Sequence, residues 1–212
     1  MSSWFNPHFV VAALSGAVAA LFLRSVLKLL GKLWAAVRPL AFYDCAEEAR
    51  VGTLVAKNGR RVEDNGATNG QAWEHHFEEN GPPHTLYGPY LNDFGRPGYY
   101  KVKVKIFGVG FDKSRDPVIE LDVVQIGYAY KEQRIVIGQK IVRAKDLKAS
   151  WVSKVLPWCS RYRKFSIICF AAGGGAYEYR AKVHKEFFNE RQHTIRFDTV
   201  GVYFHVPGWE IF

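Results

Sequence analysis

Cysteine is scarce in this chain: three residues in 212, an odd count in a sequence long enough to build a core without covalent staples. A disulfide framework is therefore excluded as the organising device. The short strings that carry common catalytic chemistries are missing too. There is no Gly-x-Ser-x-Gly, no His-Glu-x-x-His and no Cys-x-x-Cys, since Cys159 and Cys169 stand ten apart. Gly173-Gly174-Gly175 runs into Ala176 rather than a Lys-Ser/Thr pair, so it reads as a hairpin turn and not as a phosphate cradle. Asp93, Asp112 and Asp116 fall in turn-like stretches without the spacing of a calcium loop. With 48% hydrophobic and 23% charged residues, disorder is excluded as well.

The most informative absence is charge at the N-terminus. No Lys, Arg, Asp or Glu precedes Arg24, and no acid precedes Asp44. Residues 5–23 form a run of nineteen, interrupted only by Asn6, Pro7, His8, Ser15 and Gly16. As a helix that run reaches about 28 Å, close to the hydrocarbon thickness of a bilayer. Arg24, Lys28, Lys32 and Arg38 follow it, which predicts a single transmembrane helix with its N-terminus outside and the rest of the chain on the cytoplasmic side. A cleaved signal peptide fits less well, because cations follow the apolar run instead of preceding it. Leu27, Leu30, Leu33, Trp34 and Val37 recur near helical spacing, predicting an amphipathic continuation along the membrane surface that stops at Pro39. Removing the four cations leaves a net charge of about +5 on the remainder, a mild excess that does not by itself call for nucleic acid. Anionic lipid headgroups are the partner those four cations suit.

Near residue 44 the pattern changes from helical to short runs and turns, so the chain divides into residues 1–43, an anchor, and residues 44–212, a folded domain. Asn-Gly pairs at 58, 65, 69 and 80 supply the positive φ of tight turns. Val102, Val104 and Ile106 alternate with Lys101, Lys103 and Lys105, and Ile119, Leu121 and Val123 with acids. Tyr177, Tyr179, Ala181 and Val183 alternate with Glu178, Arg180, Lys182 and His184. Further strands are expected at residues 134–142, 164–171, 193–200 and 202–206, with one short helix near 145–154. Some eight strands with no other helix predict an all-β domain of antiparallel sheets, a sandwich or barrel.

Tyr87-Gly88-Pro89-Tyr90, then Pro97-Gly98-Tyr99-Tyr100 leading into the strand at 101–107, then the apolar-acidic strand at 118–123, resemble the carbohydrate-binding-module type of jelly-roll β-sandwich. The late strands at 164–170 and 177–183 and the closing Phe197-Asp198-Thr199-Val200 extend the resemblance over roughly residues 50 to 206. It implies a non-catalytic domain that binds a glycan, with Asp198 where such domains can hold a structural calcium or a ligand hydroxyl. Two departures stand out: such domains are often extracellular, and residues 127–133 have no counterpart.

Saccharide recognition needs flat aromatic faces beside hydrogen-bonding groups. Trp73, Tyr87, Tyr90, Trp158 and Tyr162 are the aromatics expected in loops or at strand ends, and hence the candidate ligand-binding set, although core or edge packing is the commoner fate of any one of them. The densest set of metal-ligand types, Trp73-Glu74-His75-His76-Phe77-Glu78-Glu79, reads as a solvated loop, because adjacent histidines on a strand point to opposite faces. No metal, catalytic residue or cofactor is assigned, beyond the calcium that the resemblance allows. Cations interleave with aromatics at 100–105 and 161–165, but Lys101, Lys103 and Lys105 read as a solvated strand face of the kind that guards a sheet edge, so nucleic acid is not expected. Two functions follow. One is a membrane-anchored, non-catalytic sandwich that recognises a glycan or lipid-linked saccharide. The other is an accessory subunit of a larger membrane complex, docked through its helix and sandwich surface.

Overall fold

A computed structural model describes residues 21–28, 30, 39–47, 55–56, 58–76, 84–91, 96–127, 134–147, 161–173, 175–188 and 192–205, with the backbone alone at 55–56, 84–85 and 87–91. The chain divides into two compact units, Met1–Arg38 and Pro39–Phe212. In the first, residues 21–28 are helical, with Leu21, Phe22, Leu23 and Leu27 exposed. Apart from residues 21–23, the expected membrane span lies outside the described residues, as do Lys32 and Arg38. No described helix is long and apolar enough to cross a membrane.

The second unit is built from two antiparallel sheets. Its strands are β1 (Ala41–Asp44), β2 (Val55–Ala56), β3 (Gly59–Glu63), β4 (Gln71–His75), β5 (His84–Leu91), β6 (Gly98–Val109), β7 (Pro117–Ile126), β8 (Arg134–Arg143), β9 (Arg163–Ala171), β10 (Ala176–Val183) and β11 (Thr194–Phe204). One sheet runs β3-β4-β11-β6-β9, with β1 paired to β11 beyond the point where β4 stops; the other runs β2-β5-β10-β7-β8. β1 brings the start of the sandwich to Ala41, three residues ahead of the expected boundary.

The period-2 pattern decides which residues fill the space between the sheets. Tyr100, Val102, Val104 and Ile106 of β6 meet Phe165, Ile167 and Cys169 of β9, Val200 and Val202 of β11, and Ile119, Leu121 and Val123 of β7 in one cluster. Each of its larger members contributes about 1.5–3 kcal/mol by leaving water. The sheets draw together where β8 passes β9: a Cβ on Gly138 would lie 2.9 Å from both Cys169 Cβ and Ile167 Cγ2, so no side chain fits there. Cys45 and Cys169 are buried free thiols, and burial pushes Cys169 up to about 12, which removes it from thiolate chemistry.

Four expectations are corrected. The two strands expected at 193–200 and 202–206 are one strand, β11, with an irregularity between Phe197 and Val200 that lets it bend without ending. The glycines at 173–175 do not close a hairpin, because β9 and β10 belong to different sheets and the turn carries the chain from one to the other. Gly173 and Gly175 have φ of +83° and +85° there, a conformation glycine adopts at no steric cost. Asn58, with φ +63°, likewise marks a crossing, from β2 to β3. Lastly, β6 is no edge strand, since β11 and β9 flank it. Its lysines therefore cannot be there to guard an edge.

Candidate functional site

Of the five aromatics expected to form a site, the two whose side chains are described, Trp73 and Tyr162, lie on opposite faces of one sheet. Trp73 lies within β4 and packs inward against the core, with its indole Nε1 buried. Tyr162 is 5% exposed, on the opposite side of the same sheet beside Phe107. Its hydroxyl donates to Asp64 Oδ2 at 3.0 Å; burial, then the Asp64 charge, push it far above the usual phenol value. It is not an accessible stacking face. Tyr87 and Tyr90 belong to β5 of the other sheet, opposite Arg180 and Glu178. Trp158 lies outside the described residues.

The outer face of the β3-β4-β11-β6-β9 sheet instead separates into two ends. At one, the loop between β3 and β4 folds over the strands and is held by charge. Asp64, with a fully buried side chain, accepts from Gly66 N–H at 2.8 Å, Arg161 Nη2 at 2.7 Å and Arg196 Nη1 at 2.9 Å, besides Tyr162. Arg196 also donates through Nε to Glu74 Oε2 at 2.8 Å, and Arg60 Nη2 donates to Glu74 Oε1 at 3.0 Å. Burial alone would raise both carboxyls, but the guanidinium hydrogen bonds outweigh it and hold them below the usual range. Neither is poised to give up a proton at neutral pH, as the general acid of a glycosidase must. Asp198 is 1% exposed and accepts from Thr68 N–H at 2.9 Å and Thr68 Oγ1 at 2.7 Å. Lys105 Nζ lies 3.4 Å from Oδ2, the oxygen that Thr68 Oγ1 also reaches, so the chain's own ammonium stands beside the carboxylate that the resemblance offered to calcium.

The histidines expected in a solvated loop partly line a pocket of ≈ 200 Å³ with Arg60, Glu74, Phe188, His193 and Thr194. His75 is 3% exposed, packs edge-on to Phe188, and is brought by burial to about 3, so it stays neutral. His193 is stacked on Phe111, centroids 4.5 Å apart. Among the described residues no group of three His, Cys, Asp or Glu side chains could hold a metal ion.

At the other end the face is open. Tyr99 pairs with Phe170 across β6 and β9; the two rings meet edge to face at 5.1 Å and are 45% and 49% exposed. The next row holds Tyr203, Lys101 and Ile168, and the row after it Phe42, Gly201, Lys103 and Ser166. Gly201 makes room for a neighbour: a Cβ there would lie 2.9 Å from Tyr203 Cε2. The Tyr203 ring reclines over that gap, and Lys103 Nζ sits 4.3 Å from its centroid, a cation–π contact that places the ammonium. Burial first, then the charges of Lys101 and Lys164, lower Lys103 from its ordinary value. Lys103 is thus the lysine on which the charges of the other two bear.

The signal for this end was present in β9, where Ile168 and Phe170 put apolar groups in phase with Lys164 and Ser166 and out of phase with the core residues Phe165, Ile167 and Cys169. A strand greasy on both faces has two surfaces to cover.

No protein-family model and no curated protein matches the sequence. Solved structures similar in fold include the CBM22-1 xylan-binding domain of Paenibacillus barcinonensis Xyn10C, with 9% identity over 79% of this chain and 94% of that one and a TM-score of 0.49. A family 35 carbohydrate-binding module from Clostridium thermocellum shares 14% over 77% and 98%, with a TM-score of 0.46. The carbohydrate-binding module CBM6cm-2 from Cellvibrio mixtus lichenase 5A, solved with cellotriose, shares 11% over 80% and 100%, with a TM-score of 0.43. At those scores the likeness assigns this chain neither a ligand nor a site residue.

Proposed function

We propose that the sandwich is a non-catalytic recognition module, a jelly roll in the sense of the family it resembles, and that the open end of its outer sheet face binds a saccharide. The observation that carries this reading is the Tyr99–Phe170 pair, two accessible rings held edge to face on rigid strands and flanked by Lys101, Lys103 and Ser166. Aromatic faces take the axial C–H side of a sugar ring, while ammonium and hydroxyl groups serve its oxygens. Same-face positions recur about every 6.7 Å along a strand, so Tyr99 to Lys103 covers about 13 Å, the footprint of an oligosaccharide. The test is retardation of the full-length chain in gels containing soluble polysaccharides. Wild type should be slowed by at least one polymer, and Tyr99→Ala with Phe170→Ala should abolish the slowing. A chain that migrates freely through every polymer refutes the reading.

The uncharged stretch before Arg24 and the cations after it support a second part of the proposal, that the module is tethered to a membrane by residues 5–23 with the sandwich on the cytoplasmic side. Alkaline carbonate should leave the full chain in the membrane pellet and release a chain that starts at residue 39.

A further inference from the structure

We infer that the saccharide bound at the open end is an anionic one, whose carboxylate or sulfate groups sit among Lys101, Lys103 and Lys164. The inference rests on the saccharide reading above and names its ligand class. Three facts about the face support it. First, the three lysines occupy adjoining positions of two paired strands: Lys103 lies between Lys101 and Lys105 on β6, and Lys164 is the cross-strand partner of Lys105. Second, the nearby acids are already engaged. Asp44 accepts from Asn69 Nδ2 at 2.7 Å and from the Ala46 and Glu47 N–H groups, and Asp198 accepts from Thr68 and is ion-paired with Lys105. No acid occupies the rows of Lys101 and Lys103. Third, Lys103 is held in place over the Tyr203 ring despite repulsion from its two neighbours. An ammonium fixed beside like charges gains most from an anion that bridges them. A neutral saccharide would leave that repulsion in place.

Polygalacturonate and its fully methyl-esterified form share a backbone and differ in charge, which makes them suitable probes. The full-length chain should bind the acid polymer about tenfold more tightly than the ester, a preference that fades in high salt. The double variant Lys101→Gln/Lys103→Gln should lose about tenfold for the acid polymer and leave the ester unchanged. Lys113→Gln, an exposed lysine elsewhere, should change neither, which separates a site from general attraction of a basic protein to a polyanion. Equal binding of the two polymers overturns the anionic assignment while leaving the saccharide reading intact. Equal losses in Lys113→Gln and the double variant overturn it too. Binding to neither polymer, with tight binding to phosphatidylserine vesicles that the double variant loses, overturns both and makes the bilayer the occupant of this face. Because the double variant touches only solvent-facing side chains, its unfolding midpoint should match wild type, so a loss of binding is not a loss of fold.

Discussion

The two ends of one sheet face make an instructive pair. Both lie on β6 and β11, both carry aromatics, and both are rich in cations. At the loop end the cations are consumed: Arg161 and Arg196 converge on Asp64, Arg196 and Arg60 on Glu74, and Lys105 approaches Asp198. At the open end Lys101 and Lys103 stand in rows without an acid, and Lys164 adds a third charge from the next row, where Lys105 takes up Asp198. What separates a structural cation from one available to a ligand is not residue type or strand position but whether the fold supplies a carboxylate within reach. Here the β3–β4 loop supplies Asp64, and it stops short of Lys103.

The largest effect expected from breaking this contrast is at Arg196. Arg196→Ala leaves Asp64 and Glu74 buried with part of their compensation gone, which should cost about 3–5 kcal/mol in denaturant unfolding. Lys103→Ala, on the same face, should stay within about 0.5 kcal/mol of wild type. Equal costs for the two would erase the distinction between the ends. Tyr162→Phe removes one hydrogen bond to Asp64 and should cost about 1–1.5 kcal/mol.

A pH prediction sharpens the same comparison, because β4 carries both Glu74 of the network and, on its inward side, His75. Burial keeps the His75 imidazole at about 3, below its ordinary 6.5, so between those values the unfolded chain binds a proton that the native fold refuses. Stability from this group is complete above pH 6.5 and falls as pH drops toward 3, with a slope of up to about 1.4 kcal/mol per pH unit. From pH 6.5 to 5 the loss should reach about 1–2 kcal/mol. Chemical denaturation across that range should show the slope in wild type and a flatter line in His75→Gln. Asp64 and Glu74, whose carboxyls are held low, add their own loss only at more acid pH, as they protonate.

Much of the sandwich was legible in the sequence because alternation is a local signal. Val102, Val104 and Ile106 against Lys101, Lys103 and Lys105 named both faces of β6; in β7 and β10 the pattern named the inward residues, while Asp122 and Glu178 on their other faces are buried too. The loop-end network was not legible, because Asp64 meets Arg161 across 97 positions and Arg196 across 132, and no window spans such distances. Tyr162 illustrates the cost. It sits among basic residues like a surface aromatic, and its burial depends on the distant Phe107, Ala67 and Ala72 and on Asp64, which takes its hydroxyl. The open end failed for a different reason. Its lysines were visible, but their position on an interior strand depends on β9 joining β6 from more than fifty positions downstream.

The finest test compares Lys105 with Lys103, two residues apart on one strand and one face. Lys105 Nζ contacts Asp198, which is 1% exposed, and the Thr68 hydroxyl at 2.8 Å. Lys103 contacts an aromatic ring and lies in the field of two like charges. Lys105→Gln should cost about 1 kcal/mol, because Thr68 still binds Asp198 and only part of the carboxylate's compensation is lost. Lys103→Gln should be neutral or slightly stabilising, since it removes the ammonium that Lys101 and Lys164 repel. The lowered value of Lys103 gives the same contrast a pH signature. As pH rises toward 10.5 the native chain sheds this proton before the unfolded chain does, so the repulsion is relieved and stability rises with pH in that window. Lys103→Gln should abolish that rise and Lys105→Gln should preserve it. If both variants lost it, the two lysines would belong to a single cationic cluster and the boundary between the ends would have to move one row toward the loop.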